Sequence, residues 1–290
     1  MSISPRELVA GTVEIASLPE VFLRVNEMID SPRYSAADIG KVIGQDPALS
    51  ARLLKIVNSA FYGFPSQIDT ISRAITIVGT RELRELILAT SVIKVFKGIP
   101  NDLINMDEFW AHSICAGLAA RALAAERGER VVERFFVSGL LHDIGALLIY
   151  AKLPELAREA LLRSHHHGLP LQVAEQEVMS FDHAAVGLEI LRKWKLPEHL
   201  QEVVACHHNP SRSLNFPRDT ALIHLADAIA DVMNKGTSGE ERVRPLDAQA
   251  WQLAGLDENC LSTIIEETEK RFQDTLELIQ PSPSKVASIH

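Results

Sequence analysis

His142 and Asp143 stand side by side in FFVSGLLHDIGALLIY, the most apolar stretch of this 290-residue chain. Five further residues share that setting. His112 is flanked by Phe109, Trp110, Ile114 and Cys115; His183 follows Asp182 in FDHAAVG; His207 and His208 form a pair in VVACHHNP; Asp227 sits in LADAIA. A polar side chain in apolar surroundings is costly unless it is partnered, and each unsatisfied buried group costs about 1–3 kcal/mol. A series of them, each inside an apolar segment, implies that they satisfy one another. Imidazole and carboxylate together are ligands for Fe, Mn, Zn or Ni, and a helical bundle can build such a site from facing helices. One or two divalent transition-metal ions are the expected cofactor. A water bound to such an ion becomes acidic enough to act as hydroxide near neutral pH.

Such ligands need rigid elements, and helical periodicity runs through nearly the whole chain. Ser35 with Asp38 resembles a capping box, and Asp46-Pro47 reads as an N-cap followed by proline at the first helical position. The helix begun there carries Leu49, Leu53, Ile56, Val57 and Ala60 on one face. These two short helices suggest a helix-turn-helix-like unit. Ile71 to Val78 reads as helix, and Thr80 reads as the cap of the next. Further helices are predicted over about 107–126, 131–149, 154–167, 170–179, 182–193, 197–206, 217–234 and 247–279. Gly98-Ile99-Pro100-Asn101 is the internal boundary. The expected architecture is all-α, a helical bundle with an N-terminal lobe (1–100), a metal-type lobe (101–235), a C-terminal helical extension (236–280) and a disordered tail (281–290).

Composition narrows the function classes. Apolar residues make up 47% and charged residues 23%, which excludes collagen, long disorder and a disulfide scaffold. Three cysteines without a CxxC exclude a zinc ribbon and a thioredoxin-type site, and they suit reduced thiols in the cytoplasm. The N-terminus has no basic stretch followed by an apolar run, so no signal peptide is read. No spanning segment is read either, because His142 and Asp143 interrupt the most apolar one. The net charge of −9 argues against bulk nucleic-acid binding. Residues 50–97 nevertheless carry seven Lys/Arg against three Asp/Glu, a local +4 that reads as a solvated face or, less readily, a partner surface.

The order of these motifs resembles the HD superfamily of metal-dependent phosphohydrolases. The front half, DPALSARLLKIVNSAFYG followed by ISRAITIVGTRELRELIL, resembles the HDOD domain, the HD-related output domain of bacterial signalling proteins. The resemblance covers roughly residues 15–235. It implies an HD-like fold with His112, His142, Asp143 and Asp227 around one metal. Asp143 would bridge to a second metal held by His183, His207 and His208. Glu108, one turn before His112, resembles an extra carboxylate ligand of some HD-GYP phosphodiesterases. Those enzymes carry a lysine where this chain has Ala146, and a Gly-Tyr-Pro motif where it has NPSRSLNFP. The missing elements would grip a phosphate substrate.

Several residues admit blander readings. The His112/His142/Asp143/Asp227 set could be a hydrogen-bond network without metal, and His183 with His207-His208 could cap helices. His165-His166-His167 before Gly168 fit a solvated helix C-terminus. His224 fits a core histidine on a backbone partner, and Asn58-Ser59 fit hydrogen bonds that end a helix. The favoured expectation is a cytoplasmic, non-catalytic signal-transduction protein that acts through a signalling protein partner and retains the metal site. The alternative is a metal-dependent phosphodiesterase for a nucleotide or cyclic dinucleotide. DNA binding through residues 35–63 ranks last, and no membrane role is expected.

Overall fold

The computed structural model describes residues 3–12, 18–29, 31, 33–59, 61–96, 102–237, 239 and 248–279. Among them every regular element is helical and none is a strand. The described residues divide into two units. The larger takes those up to Leu18 together with Lys94–Thr268, and the smaller takes Pro19–Ile93 with those from Glu269 onward. The expected tail, 281–290, and the boundary residues Gly98 to Asn101 lie outside the described residues.

Helix α1 (Pro5–Ala10) belongs to the larger unit. The smaller unit begins with α2 (Glu20–Ile29), α3 (Ala36–Gly44), α4 (Pro47–Val57) and α5 (Ile71–Val78), and α6 (Thr80–Phe96) crosses the division at Ile93. The larger unit resumes with α7 (Met106–Glu126), α8 (Glu133–Leu141), α9 (Ile144–Lys152), α10 (Pro154–His167), α11 (Leu171–Met179) and α12 (His183–Lys193). It continues with α13 (Glu198–Cys206), α14 (Pro217–Met233) and α15 (Ala248–Ala254), while α16 (Leu261–Ile279) crosses the division at Thr268.

Within the smaller unit, capping follows the sequence. Ser35 Oγ accepts the Asp38 N–H (3.3 Å), and the Asp38 carboxylate accepts the Ser35 N–H (3.0 Å). Asp46 Oδ1 accepts the Leu49 N–H at 2.9 Å. Asn58 reaches beyond its helix end. Its amide donates to Leu54 O and to Ile68 O, and its Oδ1 accepts the Ile68 N–H, so it fastens a loop ten residues on. Thr80 is the first residue of α6 rather than its cap. Gly79 makes the junction at φ 106°, with the Glu82 carboxylate lying where a Cβ would be.

In the larger unit α7, α8 and α14 form the centre, with Leu123, Phe135, Leu222, Ile229, Trp251 and Ile264 in one buried cluster. Small residues let the helices approach. A Cβ on Gly117 would meet Phe136 O at 2.7 Å, and one on Gly139 would meet Ala116 O at 2.7 Å. A second close crossing joins α9 to α12, where Gly145 lies against His183 O and Gly187 N. Lys193 closes α1 onto α12 by donating to Val9 O (2.9 Å) and Thr12 O (3.2 Å).

Two predicted helices are broken. The stretch 131–149 is α8 and α9, separated at His142-Asp143, where Asp143 leaves helical geometry (φ −100°, ψ 11°). The stretch 247–279 is α15, a 3-10 turn at Glu258–Cys260, and α16. Gly255 at φ 72° and the capping side chain of Asp257 make that break. Glu133–Lys152 has the length and mean hydropathy (1.3) of a membrane span, but 89% of it is buried in the fold. It is a core element interrupted by a charged pair.

Candidate metal centre

Five elements of the larger unit converge. Helix α7 brings His112, α14 brings Asp227, the α8–α9 turn brings His142 and Asp143, and the start of α12 brings His183. His207 and His208 follow the last turn of α13. The seven residues form two groups. His112, His142 and Asp227 make one; Asp143, His183, His207 and His208 make the other, and within each group one ligand atom per residue lies within 4.8 Å of all the rest.

Asp143 faces both groups. Its Oδ2 lies 3.2 Å from His142 Nε2, and its Oδ1 lies 3.2 Å from His183 Nε2 and 3.3 Å from His207 Nε2. Asp227 Oδ1 sits 3.1 Å from His112 Nε2 and 3.3 Å from His142 Nε2. His208 Nε2 approaches His183 Nε2 at 2.7 Å.

The outer nitrogens decide what the inner ones can do. His142 Nδ1 is 2.6 Å from Gly139 O, and His207 Nδ1 is 2.7 Å from Val204 O. A carbonyl only accepts, so each of these nitrogens carries the ring proton. In a neutral ring Nε2 is then a lone pair. Both Nε2 atoms point at a carboxylate oxygen, which also only accepts. His142 Nε2, His207 Nε2 and Asp143 Oδ1 are buried with no hydrogen-bond partner. Facing acceptors of this kind are stabilised by a shared cation, either a proton or a metal ion. Backbone-anchored imidazoles with inward lone pairs are what metal-ligating histidines present, so the donor set fits a transition-metal ion.

Electrostatics point the same way. Burial disfavours a charged His142 ring, yet Asp143 and Asp227 outweigh it and hold its pKa well above the usual imidazole value. His183 is raised against burial by Glu175 and Asp143. Burial opposes the charge on Asp143, but His142 and His183 keep its pKa well below the carboxylate range. His207 is lowered by burial, with the neighbouring His142 and His183 adding to it and Asp143 opposing. The carboxylates thus favour a cation, proton or metal, at His142 and His183, while burial favours a neutral His207.

The remaining candidates fall elsewhere. Glu108 is exposed on α7, within 3.4 Å of the Asn105 amide, and lines a cavity of about 800 Å³ with Arg158, Leu161 and His165. It joins neither metal-type group. His165, His166 and His167 are exposed at the end of α10. His224 Nδ1 donates to His207 O at 2.8 Å and so braces the turn that presents the histidine pair. Two residues escaped the sequence reading. Glu175 on α11 accepts from His183, and Asp231 on α14 places Oδ1 3.7 Å from His112 Nδ1. Their signals were present: Glu175 lies midway between Leu171 and Met179 on the buried stripe of α11, and Asp231 is one turn after Asp227.

An all-α fold with buried His/Asp groups at helix starts, ends and crossings defines an HD-like helical domain. The profile of the HDOD domain matches residues 15–210, and the chain belongs to the HDOD family, which is related to the metal-dependent phosphohydrolases. An HDOD domain protein with unknown function from Geobacter sulfurreducens shares the fold at TM-score 0.80 and 22% identity, over 96% of this chain and 97% of that one. A protein of Shewanella amazonensis SB2B, provisionally described as a phosphohydrolase, aligns at TM-score 0.75 and 22% identity, over 96% and 98%. An uncharacterized protein of Treponema pallidum (strain Nichols) is 28% identical over 197 residues, which is 68% of this chain. The matched region spans only 38% of that relative's length.

Proposed function

We propose that this chain is a bacterial signal-transduction module that holds one or two divalent transition-metal ions in its interior and acts through a protein partner rather than by turnover. The observation that carries this reading is burial. Six of the seven ligand-type side chains are exposed by 4% or less, and only His208 is partly open. A hydrolytic centre needs a coordination position that substrate can reach. A metal sealed among helices instead braces the elements that surround it. Ala146, on α9 one turn from the site, offers no cation to a phosphate. The cysteines form no disulfide, which suits a reducing cytoplasm.

A second reading rests on Asp143, whose two oxygens face two complete ligand groups. Two bound metals would supply Lewis acidity and an acidified water. His142, His183 and His207 would hold them by Nε2 and Asp143 would span them. A nucleotide or cyclic dinucleotide is the ligand class for that reading. The test is a hydrolysis assay on metal-loaded protein with bis(p-nitrophenyl) phosphate and cyclic di-GMP. The regulatory reading expects no turnover above the metal-only blank. Turnover that vanishes in Asp143→Ala would replace it with the phosphodiesterase.

A further inference from the structure

Glu175 is a carboxylate in an otherwise apolar place. It lies on α11 between buried Leu171 and Met179, and it is itself only 1% exposed. Such a group is costly to bury unless donors meet it. One of its oxygens meets two, both from the same residue. Glu175 Oε2 accepts the His183 backbone N–H at 2.8 Å and lies 2.7 Å from His183 Nδ1. His183 is the first residue of α12, so its N–H lacks a partner within the helix. Asp182 caps the same end by accepting the Ala185 N–H at 2.9 Å. Backbone and ring of His183 are thereby gripped from a different helix.

We propose that Glu175 is the positioning residue of the second ligand group. By accepting the Nδ1 proton it fixes the His183 ring so that the Nε2 lone pair is delivered toward Asp143 Oδ1 and His208 Nε2. His142 and His207 obtain the same service from backbone carbonyls within their own helix ends. His183 stands at a helix start, where the free backbone groups are N–H donors rather than carbonyl acceptors. The acceptor therefore has to come from elsewhere, and α11 supplies it. Buried Glu175 Oε1 has no hydrogen-bond partner, so Oε2 and its two bonds to His183 are what this side chain does on the protein side.

The inference rests on the metal reading for its consequence, but the ring orientation can be measured without metal. Long-range ¹H–¹⁵N spectra of the metal-free protein should show a hydrogen-bonded, slowly exchanging Nδ1 proton on His183 in the wild type and in Glu175→Gln, whose side-chain carbonyl still accepts. In Glu175→Ala that proton should lose its acceptor and its resonance should be lost to exchange. Zn²⁺ or Mn²⁺ titrations should show affinity lowered about 10–100-fold in Glu175→Ala, the usual effect of removing an outer partner of a ligating histidine. Affinity should be largely restored in Glu175→Gln. The metal-free melting temperature of each variant separates this from a general loss of fold.

Affinity unchanged in Glu175→Ala would overturn the positioning role and leave the metal site standing. Affinity as poor in Glu175→Gln as in Glu175→Ala would overturn it too. A wild type that binds neither metal, yet shows the Nδ1 proton lost in Glu175→Ala, would overturn the metal reading while supporting the role given to Glu175.

Discussion

Gly145→Ala is the most informative perturbation of the frame around the site. Gly145 sits in the first turn of α9, directly after the turn that carries His142 and Asp143. A Cβ there would overlap His183 O and come within 2.5 Å of Gly187 N, both backbone atoms of α12, whereas ordinary contact is 3.4–4 Å. Relief requires α9 and α12 to part by about 1 Å. Overpacking of this kind costs up to about 3 kcal/mol, and the gain in helix propensity from Gly to Ala returns about 1 kcal/mol. The net loss is about 2 kcal/mol, or a fall of about 4–8 °C in melting temperature. The same movement separates Asp143 Oδ1 from His183 Nε2, now 3.2 Å apart. Gly44→Ala is the control: it ends α3 with nothing within 4 Å of its Cβ, and it should stabilise by about 0.5–1 kcal/mol. The assay is thermal melting with metal content measured on the same samples. A Gly145→Ala protein that melts at or above the wild-type temperature with full metal would refute the reasoning.

Three other expectations follow from the same geometry. Glu202 accepts from Ser213 Oγ, the Asn215 N–H and amide, and the Phe216 N–H, ahead of the helix that bears Asp227. Burial opposes its charge, but these donors bring its pKa from 4.5 to about 2. Its stabilisation is therefore complete above pH 4.5 and lost as pH falls toward 2; urea unfolding should find Glu202→Gln about 1 kcal/mol weaker at pH 7, after allowance for solvent access, with the gap closing in acid. In the metal-free protein His142 and His183 have raised pKa values, so their contribution is full below pH 6.5 and lost as pH rises through the higher folded values; bound metal should reverse that slope, which melting curves across pH 6–9 would detect. Metal binding should also release protons, visible by calorimetry as a dependence of the binding heat on the buffer's ionisation enthalpy.

Much of this was legible in the sequence because burial of charge leaves a mark. All seven ligand-type residues stood out as polar groups in apolar segments, and the structure gathers them into adjoining groups. The capping of α3 and α4 was legible for the same local reason. The break at His142-Asp143 was not, because helical periodicity runs through it with no proline to mark an end. It lies between two close helix approaches, at Gly139 and Gly145, which local periodicity does not report. Glu175 was passed over because the two acids of LQVAEQEVM, Glu175 and Glu177, resemble solvated helix positions; Glu175 shares the stripe of Leu171 and Met179, and its place opposite the first residue of α12 gives it a role. Glu108 was the reverse case, since one-turn spacing from His112 does not carry an exposed side chain into the core.

The central claim is that the buried imidazoles and carboxylates hold metal. Elemental analysis of purified wild type beside Asp143→Ala addresses it directly, after dialysis against a metal-buffered solution. The account predicts one or two transition-metal ions per wild-type chain, and marked loss in the variant that lacks the shared carboxylate. A folded wild type free of metal, or a variant that keeps the full complement, would contradict it.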